Sequence, residues 1–398
     1  MYVSRLHRAV TLALSLAVLT AGAGCVPALA QKPPASGFET KATYAVVMDA
    51  GANLMLFEKD ADTLMVPASM SKMMTLAVLF REMKAGRFTL DSEFKVSEHA
   101  WRTGGAPSGT SAMFAPLNTM VKISDLIPGV TVQSANDGAI IIAEGVAGTE
   151  EAFAKEMTAY ARKIGMEQST FVNATGLPAE GQLMTARELA VLARHLVYTY
   201  PEYYHFFGMK EFRYRDKFTF HNRNPLVLAD IGVDGLKTGF VKESGYGLTI
   251  SGTRGNQRLI VVVNGLATPK EREAEARRLL EWGFKSFKPF RLFDEGEKVS
   301  DALVWGGTSH YVPLVGDGNI NIILPVTTSG KVSASIVYDG PIKAPIKKGD
   351  QVAILRITSD DSSATNEIPL YAGDDIGQSN FAYRGLDSLL LLAFGWLL

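Results

Sequence analysis

Three short motifs follow one another along the chain: Ser69-Met70-Ser71-Lys72, Ser134-Ala135-Asn136 and Lys237-Thr238-Gly239. They supply a hydroxyl nucleophile, an amine that can take its proton, polar groups for a proton relay and a cation that can hold a carboxylate. Serine acyl transfer needs these groups when no histidine acts as the base. No single motif justifies this interpretation, but the ordered set does.

Ser69 and Lys72 are predicted to share one face of a buried helix. Pro67 lies just inside the start of this helix, Gly86 lies just past its end, and the residues that follow Lys72 are almost all apolar. Side chains three residues apart on a helix are neighbours, so the hydroxyl and the amine are expected within hydrogen-bonding reach. Burial and a second cation such as Lys237 would both keep the amine partly neutral, and therefore basic.

A second S-x-x-K match, Ser92-Glu93-Phe94-Lys95, shows that this motif also arises by chance. The second match lies in an alternating segment that is predicted to be extended. Ser92 and Lys95 would then point to opposite faces, which argues against a catalytic pair.

The other two motifs are weaker alone and gain meaning together. Ser134 and Asn136 lie between two predicted helices, where they could simply break one helix and cap the next. Beside a serine–lysine pair, the serine can pass a proton to a leaving group, while the amide holds the lysine or the substrate backbone. Lys237-Thr238-Gly239 is expected on an edge strand, where a peptide can pair alongside it and its terminal carboxylate can be bound.

The N-terminal residues 1–30 are predicted to be a secretory signal peptide. A basic start is followed by an apolar run and by Ala28-Leu29-Ala30, which suits a cleavage site. The single cysteine, Cys25, lies in this segment, and a lipoprotein signal at Gly22-Ala23-Gly24-Cys25 is the second-ranked alternative. Cleavage after Ala30 would leave no thiol, which excludes catalysis by cysteine and any disulfide.

Charge and metal-binding patterns exclude other classes of function. Removal of residues 1–30 changes the formal net charge from −1 to −3, and this mild acidity gives no support to a nucleic-acid partner. The histidines form neither an H-E-x-x-H motif nor a paired Cys/His pattern. Neither a metal site nor another cofactor is therefore predicted.

The fold class is predicted to be α+β with an additional all-β domain. Residues 31–285 read as an antiparallel sheet with helices gathered between its first and last strands, and Ser124, Asp137, Thr149 and Thr185 are predicted to cap helices. Residues 286–375 alternate short β-prone runs with Gly, Pro and Asp turns, which indicates a small β-rich domain.

The C-terminal residues 376–398 are predicted to form a terminal amphipathic helix. The run from Leu389 to Leu398 carries no charge, but it is shorter than the roughly 20 apolar residues that a membrane-spanning helix needs. Arg384, Asp387 and Trp396 suit a helix that lies on the membrane surface. A terminal helix docked on the protein itself is the alternative.

With these features the chain resembles the low-molecular-weight penicillin-binding proteins, the serine-type D-alanyl-D-alanine carboxypeptidases. The resemblance covers nearly the whole chain and includes the segments PASMSKMMT, QSANDGA, VDGLKTGF and GYGLTISGT/RLIVVVNGL. It implies a β-lactamase/transpeptidase-like catalytic domain that removes the terminal D-alanine from peptidoglycan stem pentapeptides and is inhibited covalently by β-lactams. It also implies a periplasmic location, with the C-terminus attached to the inner membrane.

The functional residues of that family carry over position by position. The resemblance implies that Ser69 is acylated and that Lys72 is its general base. Ser134 would relay protons, and Asn136 would orient Lys72 and the substrate amide. The implied substrate-binding residues, including those at the oxyanion hole, are Lys237, Thr238, Gly239, Phe240 and Arg223. Where the best-known members carry histidine this chain has Phe240, and that departure leaves the role of its backbone N–H unchanged.

Three alternatives remain at this level. A class A β-lactamase would need an E-x-x-x-N loop, but the corresponding region begins at Glu167 and has Phe171 where the asparagine should be, with Asn173 out of phase. Slow release of bound β-lactam is therefore expected. A D,D-endopeptidase of the same superfamily has the same motifs. A non-catalytic penicillin sensor is less favoured because all three motifs are intact.

Overall fold

The computed structural model describes residues 38–326, 332–359, 362–381, 383–385 and 388. They belong to two units, of which the first ends at Ser286 and the second begins at Phe287. The predicted signal peptide and the apolar run Leu389–Leu398 lie outside the described residues. Within the described ranges, no helix combines the length and the hydrophobicity that a bilayer crossing requires.

The first unit is built on an antiparallel sheet in the strand order β2-β1-β9-β8-β7. Two small two-stranded sheets pair β3 with β4 and β5 with β6. The strands are β1 (Tyr44–Asp49), β2 (Leu54–Lys59), β3 (Glu93–Lys95), β4 (Met120–Lys122), β5 (Glu211–Tyr214), β6 (Phe218–His221), β7 (Val233–Val241), β8 (Gly245–Arg254) and β9 (Gln257–Leu266). Because β7 ends the order, the strand that carries Lys237-Thr238-Gly239 is an edge strand.

Helices supply the rest of the first unit. They are α1 (Lys72–Lys84), α2 (Ile123–Thr131), α3 (Asn136–Ala147), α4 (Glu150–Lys163), α5 (Ala186–Thr199), α6 (Pro201–Tyr204), α7 (Pro225–Leu228) and α8 (Pro269–Ser286). Single 3-10 turns occupy Ala68–Ser71, Ala106–Ser108 and His205–Gly208, and a π turn occupies Ala100–Gly104. Every residue of α1 from Lys72 to Phe80 is buried, as expected for a helix that is apolar on all sides.

Strand β9 has apolar side chains on both faces of the sheet, so helices must cover both faces. Its side chains alternate, so Ile260 and Val262 join the large helical core, while Leu259 lies under Gly283 of α8. A strand buried on both faces reads as a nearly continuous apolar run, which is the character of RLIVVVNGL. The α+β organisation predicted from the sequence is confirmed.

Helix caps were predicted with mixed success. Thr149 and Thr185 accept hydrogen bonds from Ala152 N and Glu188 N at the starts of α4 and α5, as expected. The predictions for Ser124 and Asp137 are wrong, because the preceding residues Lys122 and Ala135 occupy the cap positions. The Asp137 carboxylate is used instead to accept hydrogen bonds from Met113 N and Ala115 N.

The second unit is a β domain with its own core. Strand β10 (Phe287–Phe293) pairs with β13 (Ile320–Pro325), and a six-stranded sheet has the order β14-β16-β17-β12-β11-β15. The members of this sheet are β11 (Lys298–Trp305), β12 (Tyr311–Val315), β14 (Val332–Val337), β15 (Ile342–Lys343), β16 (Gln351–Ser359) and β17 (Ser362–Ala372). Small and branched apolar side chains such as Ala302, Leu314 and Leu355 fill its interior.

Candidate active site

The predicted nucleophile lies on a 3-10 turn that runs directly into α1. This turn, Ala68–Ser71, follows Pro67, and Ala68 takes a positive φ of 50°. Such backbone conformations persist where the surrounding structure enforces them, and they cluster at functional sites. Side chains at i and i+3 eclipse in a 3-10 turn, which brings Ser69 over the first residue of the α-helix. Lys72 Nζ accordingly lies 2.9 Å from Ser69 Oγ and donates a hydrogen bond to it.

Lys72 has the environment of a base rather than of a surface cation. Its side chain is fully buried, and its Nζ also donates to the backbone oxygen of Thr175 at 2.5 Å. The pKa of Lys72 is lowered from 10.5 to about 7, chiefly by burial and also by the nearby Arg223 guanidinium, while the Glu150 and Asp137 carboxylates oppose both effects. A substantial fraction of this amine is therefore neutral near pH 7 and able to accept a proton.

The second motif lies at the junction of α2 and α3. Ser134 has a positive φ of 62°, and its Oγ accepts a hydrogen bond from Lys237 Nζ at 2.9 Å. Asn136 is the first residue of α3, and its Nδ2 donates to Thr110 Oγ1 at 2.9 Å. Among the described residues, buried Asn136 Oδ1 has no hydrogen-bond partner. This oxygen is thus free to accept a hydrogen bond from Lys72 or from a substrate amide.

Lys237 brings the third motif to the same place from a distant strand. It sits in the middle of β7, its side chain is 1 % exposed, and its Nζ reaches Ser134 across 103 residues of sequence. Burial lowers the pKa of Lys237 well below its ordinary value, and the charge of Lys72 lowers it further. The two amines are therefore close enough to influence each other, and a negatively charged ligand would relieve their repulsion.

The edge strand packs against the nucleophile turn at Gly239. A Cβ atom at this position would lie 2.9 Å from Pro67 O and 3.1 Å from Met70 Cγ, so only glycine allows the strand to come this close. Thr238 is buried beside it, whereas the next residue, Phe240, is 52 % exposed and stacks on the ring of Tyr246 at 4.1 Å. The aromatic side chain thus faces outward at the end of the motif.

Arg223 completes the set of predicted site residues. It follows β6, is exposed, and donates a hydrogen bond from Nη1 to Ser111 Oγ at 2.7 Å. Its charge acts on both buried lysines. The second S-x-x-K match is separate from this arrangement, because Ser92 precedes β3 and accepts from Thr89 N while Lys95 is exposed.

Several residues of the site carried no sequence signal that singled them out. Thr175 contributes only its backbone oxygen to Lys72, and Thr110 and Ser111 contribute hydroxyl groups to Asn136 and Arg223. The carboxylates that act on Lys72 belong to Glu150 and Asp137, whereas Glu167, which begins the loop compared with β-lactamases, is exposed. The sequence indicated only that Glu167 is not a catalytic glutamate, because the E-x-x-x-N spacing places Phe171 where the asparagine should be.

Comparison with known proteins agrees with this arrangement. The family model for D-alanyl-D-alanine carboxypeptidase matches residues 28–268, and that for the C-terminal domain of penicillin-binding protein 5 matches residues 287–378. The chain is 32% identical to D-alanyl-D-alanine carboxypeptidase DacA of Escherichia coli (strain K12) over 354 residues, which cover 88% of this chain and 87% of that protein.

Solved structures give the same result. Penicillin-binding protein 5 from Haemophilus influenzae has a TM-score of 0.77 at 32% identity and covers 87% of this chain and 99% of its own. Penicillin-binding protein D2 from Listeria monocytogenes, solved in an ampicillin-bound form, has a TM-score of 0.54 at 28% identity over 62% of this chain and 99% of its own. The chain therefore belongs to the D-alanyl-D-alanine carboxypeptidase family of penicillin-binding proteins.

Proposed function

We propose that this protein is a serine-type D-alanyl-D-alanine carboxypeptidase that removes the terminal D-alanine from peptidoglycan stem pentapeptides. One observation carries the proposal: a serine hydroxyl lies 2.9 Å from a fully buried lysine amine whose pKa is about 7, next to a second buried lysine bound to a second serine. Family membership supports the substrate class.

The proposed chemistry is a two-step acyl transfer. Ser69 Oγ attacks the carbonyl carbon of the penultimate D-alanine while neutral Lys72 takes its proton. When the tetrahedral intermediate collapses, the C–N bond breaks, and Ser134, held by Lys237, delivers a proton to the leaving amine of the last D-alanine. Ser134 regains a proton from the Lys72 ammonium, which restores the neutral amine. Water that Lys72 deprotonates then attacks the ester, which releases the shortened peptide and restores the hydroxyl of Ser69.

The remaining residues of the site bind the substrate. Lys237, Thr238 and Arg223 hold the terminal carboxylate, which also offsets the repulsion among the buried cations. Gly239 lets the peptide run beside the edge strand. The backbone N–H groups of Ser69 and Phe240 bind the oxyanion, and the free Oδ1 of Asn136 accepts a hydrogen bond from Lys72 or from the substrate amide.

β-Lactams act as covalent inhibitors in this scheme, because their strained amide occupies the place of the D-Ala-D-Ala bond and acylates Ser69. Fluorescent penicillin should label the purified protein and its Ser92→Ala variant equally, and Ser69→Ala should abolish labelling. Labelling that survives in Ser69→Ala would reject the assignment. Penicillin turnover many times per second would instead favour a β-lactamase.

Peptide substrates separate the carboxypeptidase from the endopeptidase of the same superfamily. A free pentapeptide should yield D-alanine and a tetrapeptide, whereas a cross-linked dimer should lose only its free terminal D-alanine. Cleavage of the cross-link without hydrolysis of the free pentapeptide would count against the proposal.

The organisation of the whole protein is also a proposal. We infer a signal peptide at residues 1–30, a catalytic domain at 31–285, a β-rich domain at 286–375 and a membrane-surface anchor at 376–398. This places the enzyme in the periplasm, peripherally attached to the inner membrane. Deletion of residues 381–398, which leaves Ile376 in the core of the β domain, should move the protein from the membrane fraction to the soluble periplasmic fraction while penicillin labelling persists. Membrane association that survives the deletion would reject the anchor.

A further inference from the structure

Residues 172–177, the Asn173 turn, have no regular secondary structure, yet side-chain oxygens hold all of their backbone N–H groups. Asn173 Oδ1 accepts from Thr175 N at 3.1 Å and Gly176 N at 2.7 Å, and it also accepts from Thr175 Oγ1 at 3.0 Å. Its Nδ2 donates to Leu177 O at 3.0 Å. The other acceptors are Gln182 Oε1 for Val172 N and Asn173 N, Glu150 Oε1 for Ala174 N, and Thr175 Oγ1 for Leu177 N.

This turn contacts the nucleophile segment at successive residues. The Ala174 carbonyl accepts from Thr75 Oγ1 at 2.7 Å, and the Thr175 carbonyl accepts from Lys72 Nζ at 2.5 Å. Gly176, with a φ of +76°, lies against the Ala68 carbonyl. The turn therefore places the Thr175 backbone oxygen against Lys72, the proposed general base. The Asn173 side chain orients the peptide group to which this oxygen belongs, because it accepts from Thr175 N and Gly176 N.

We propose that Asn173 is a positioning residue, which fixes the Thr175 carbonyl against Lys72 Nζ so that the lone pair of the neutral amine faces Ser69 Oγ. A neutral amine has two N–H bonds and one lone pair. When one N–H is committed to the Thr175 carbonyl, rotation about the Cε–Nζ bond is restricted, and the lone pair can be held toward the hydroxyl. This inference rests on the proposed chemistry of Ser69 and Lys72.

The same carbonyl also affects the charge of Lys72, because an acceptor stabilises an ammonium more than an amine. The other charged groups that face Lys72 are the cations of Arg223 and Lys237 and the carboxylates of Glu150 and Asp137. Glu150 is itself paired with His99 at 3.0 Å. Asn173 is uncharged, so a change there alters the carbonyl without removing any of these charges.

Two substitutions at Asn173 should move the pH profile of acylation in opposite directions. Asn173→Ala removes the acceptor of three hydrogen bonds, so acylation should slow by roughly tenfold to 100-fold. The acidic limb of its pH profile should move to lower pH, because the ammonium loses its carbonyl. Asn173→Asp keeps the acceptor oxygen, loses the donor to Leu177 O and adds a negative charge near the amine, so the acidic limb should move to higher pH by about one unit.

The experiment measures the second-order rate constant of acylation by fluorescent penicillin between pH 5 and 9, on the purified protein, well below each variant's melting temperature. Thr185→Ala is the matched control, since it removes another buried acceptor of a backbone N–H. It should lower the melting temperature and leave the midpoint of the pH profile unchanged. If Asn173→Ala does not fold, Asn173→Ser takes its place, because a serine hydroxyl forms the same kind of turn more weakly. Asn173→Ser should move the midpoint in the same direction as Asn173→Ala, by a smaller amount.

The outcomes distinguish a failure of the role proposed for Asn173 from a failure of the proposed function. Midpoints that shift oppositely in the two Asn173 variants support the inference. Unmoved midpoints, or shifts in the same direction, overturn it while the proposed function stands, provided that Ser69→Ala abolishes labelling. Labelling that persists in Ser69→Ala overturns both.

Discussion

At the scale of single residues, the site depends on two lysines that are both withdrawn from water. Lys72 and Lys237 are 0% and 1% exposed, and burial is the main cause of the lowered pKa of each. Transfer of an ammonium group from water into a protein interior is costly, so a buried lysine tends to lose its proton. The same arrangement makes one amine a base and leaves the other ready to become an ammonium when a carboxylate arrives.

The pH dependence of acylation follows from the pKa of Lys72, which is about 7. Below this pH the amine is mostly protonated and cannot accept the proton of Ser69, so the acylation rate should rise with pH and level off above about 8. Rate constants for penicillin acylation between pH 5 and 9 test this expectation. A midpoint near that of an exposed lysine would show that burial does not activate this base.

The motif residues could be predicted from the sequence because their chemistry depends on residue type and spacing. Ser69 and Lys72 are three positions apart, and the 3-10 turn and the α-helix both bring such positions together. Asn173 and Thr175 could not be found in this way. They act through backbone groups of an irregular turn, which leave no periodic pattern, and the sequence marks Asn173 only as out of phase with a β-lactamase loop.

At the scale of elements, the nucleophile turn is held between an edge strand and an irregular turn. Gly239 of β7 lies against Pro67 and Met70, and Gly176 lies against Ala68. The nearest atom to the added Cβ is a backbone oxygen in each case, Pro67 O for Gly239 and Ala68 O for Gly176, so neither glycine can gain a side chain without a shift of the turn that carries Ser69. The predicted Pro-led helix was correct in place, but its first turn is 3-10 rather than α.

Gly176 allows a direct test of the clamp, by which we mean the packing of Gly239 and Gly176 on either side of the turn that carries Ser69. A Cβ atom there would overlap Ala68 O and Ser71 Oγ, and its φ of +76° is unfavourable for alanine. Gly176→Ala should therefore lower stability by more than the about 1–2 kcal/mol cost of the left-handed backbone alone, and it should slow acylation at least tenfold by displacing Ser69.

Gly165 is the matched control for that substitution. It has a φ of +84°, and a Cβ atom would meet nothing within 4 Å. Gly165→Ala should therefore carry only the backbone cost, with an unchanged acylation rate. Thermal unfolding and penicillin acylation of both variants decide the matter, and equal effects of the two substitutions would contradict the clamp.

At the scale of the whole molecule, the described residues form separate hydrophobic cores. The large core spans Val46 to Val262, and the core of the β domain spans Ala302 to Ile376. The change of character after Pro289 made the second domain visible in the sequence, because helix signals stop there. The exact junction was less visible, since α8 runs without interruption to Ser286 and β10 begins at the next residue.

Helix α8 lies beyond the end of the catalytic family match at residue 268, yet it belongs to the first unit. Its apolar face is buried through Ala276, Leu279, Leu280 and Phe284, and Gly283 lets it approach Val47 and Leu259. Each large apolar side chain that leaves water contributes about 1.5–3 kcal/mol before the entropy cost of ordering the helix is subtracted. A typical domain has a net stability of only about 5–15 kcal/mol, so the loss of this burial should be strongly destabilising.

Two truncations therefore have opposite outcomes. A protein that ends at Ser286 keeps α8, should unfold cooperatively, and should react with penicillin within about twofold of the rate of the full chain, because the site lies entirely in the first unit. A protein that ends at Ala267 loses α8, exposes Leu259 and Val47 to water, and should fail to fold or lose most of its stability. Circular dichroism melting and penicillin acylation measure both effects.

Each truncation has an outcome that would contradict its prediction. A stable, reactive protein that ends at Ala267 would show that α8 is dispensable. A folded but inactive protein that ends at Ser286 would show that the site depends on the β domain.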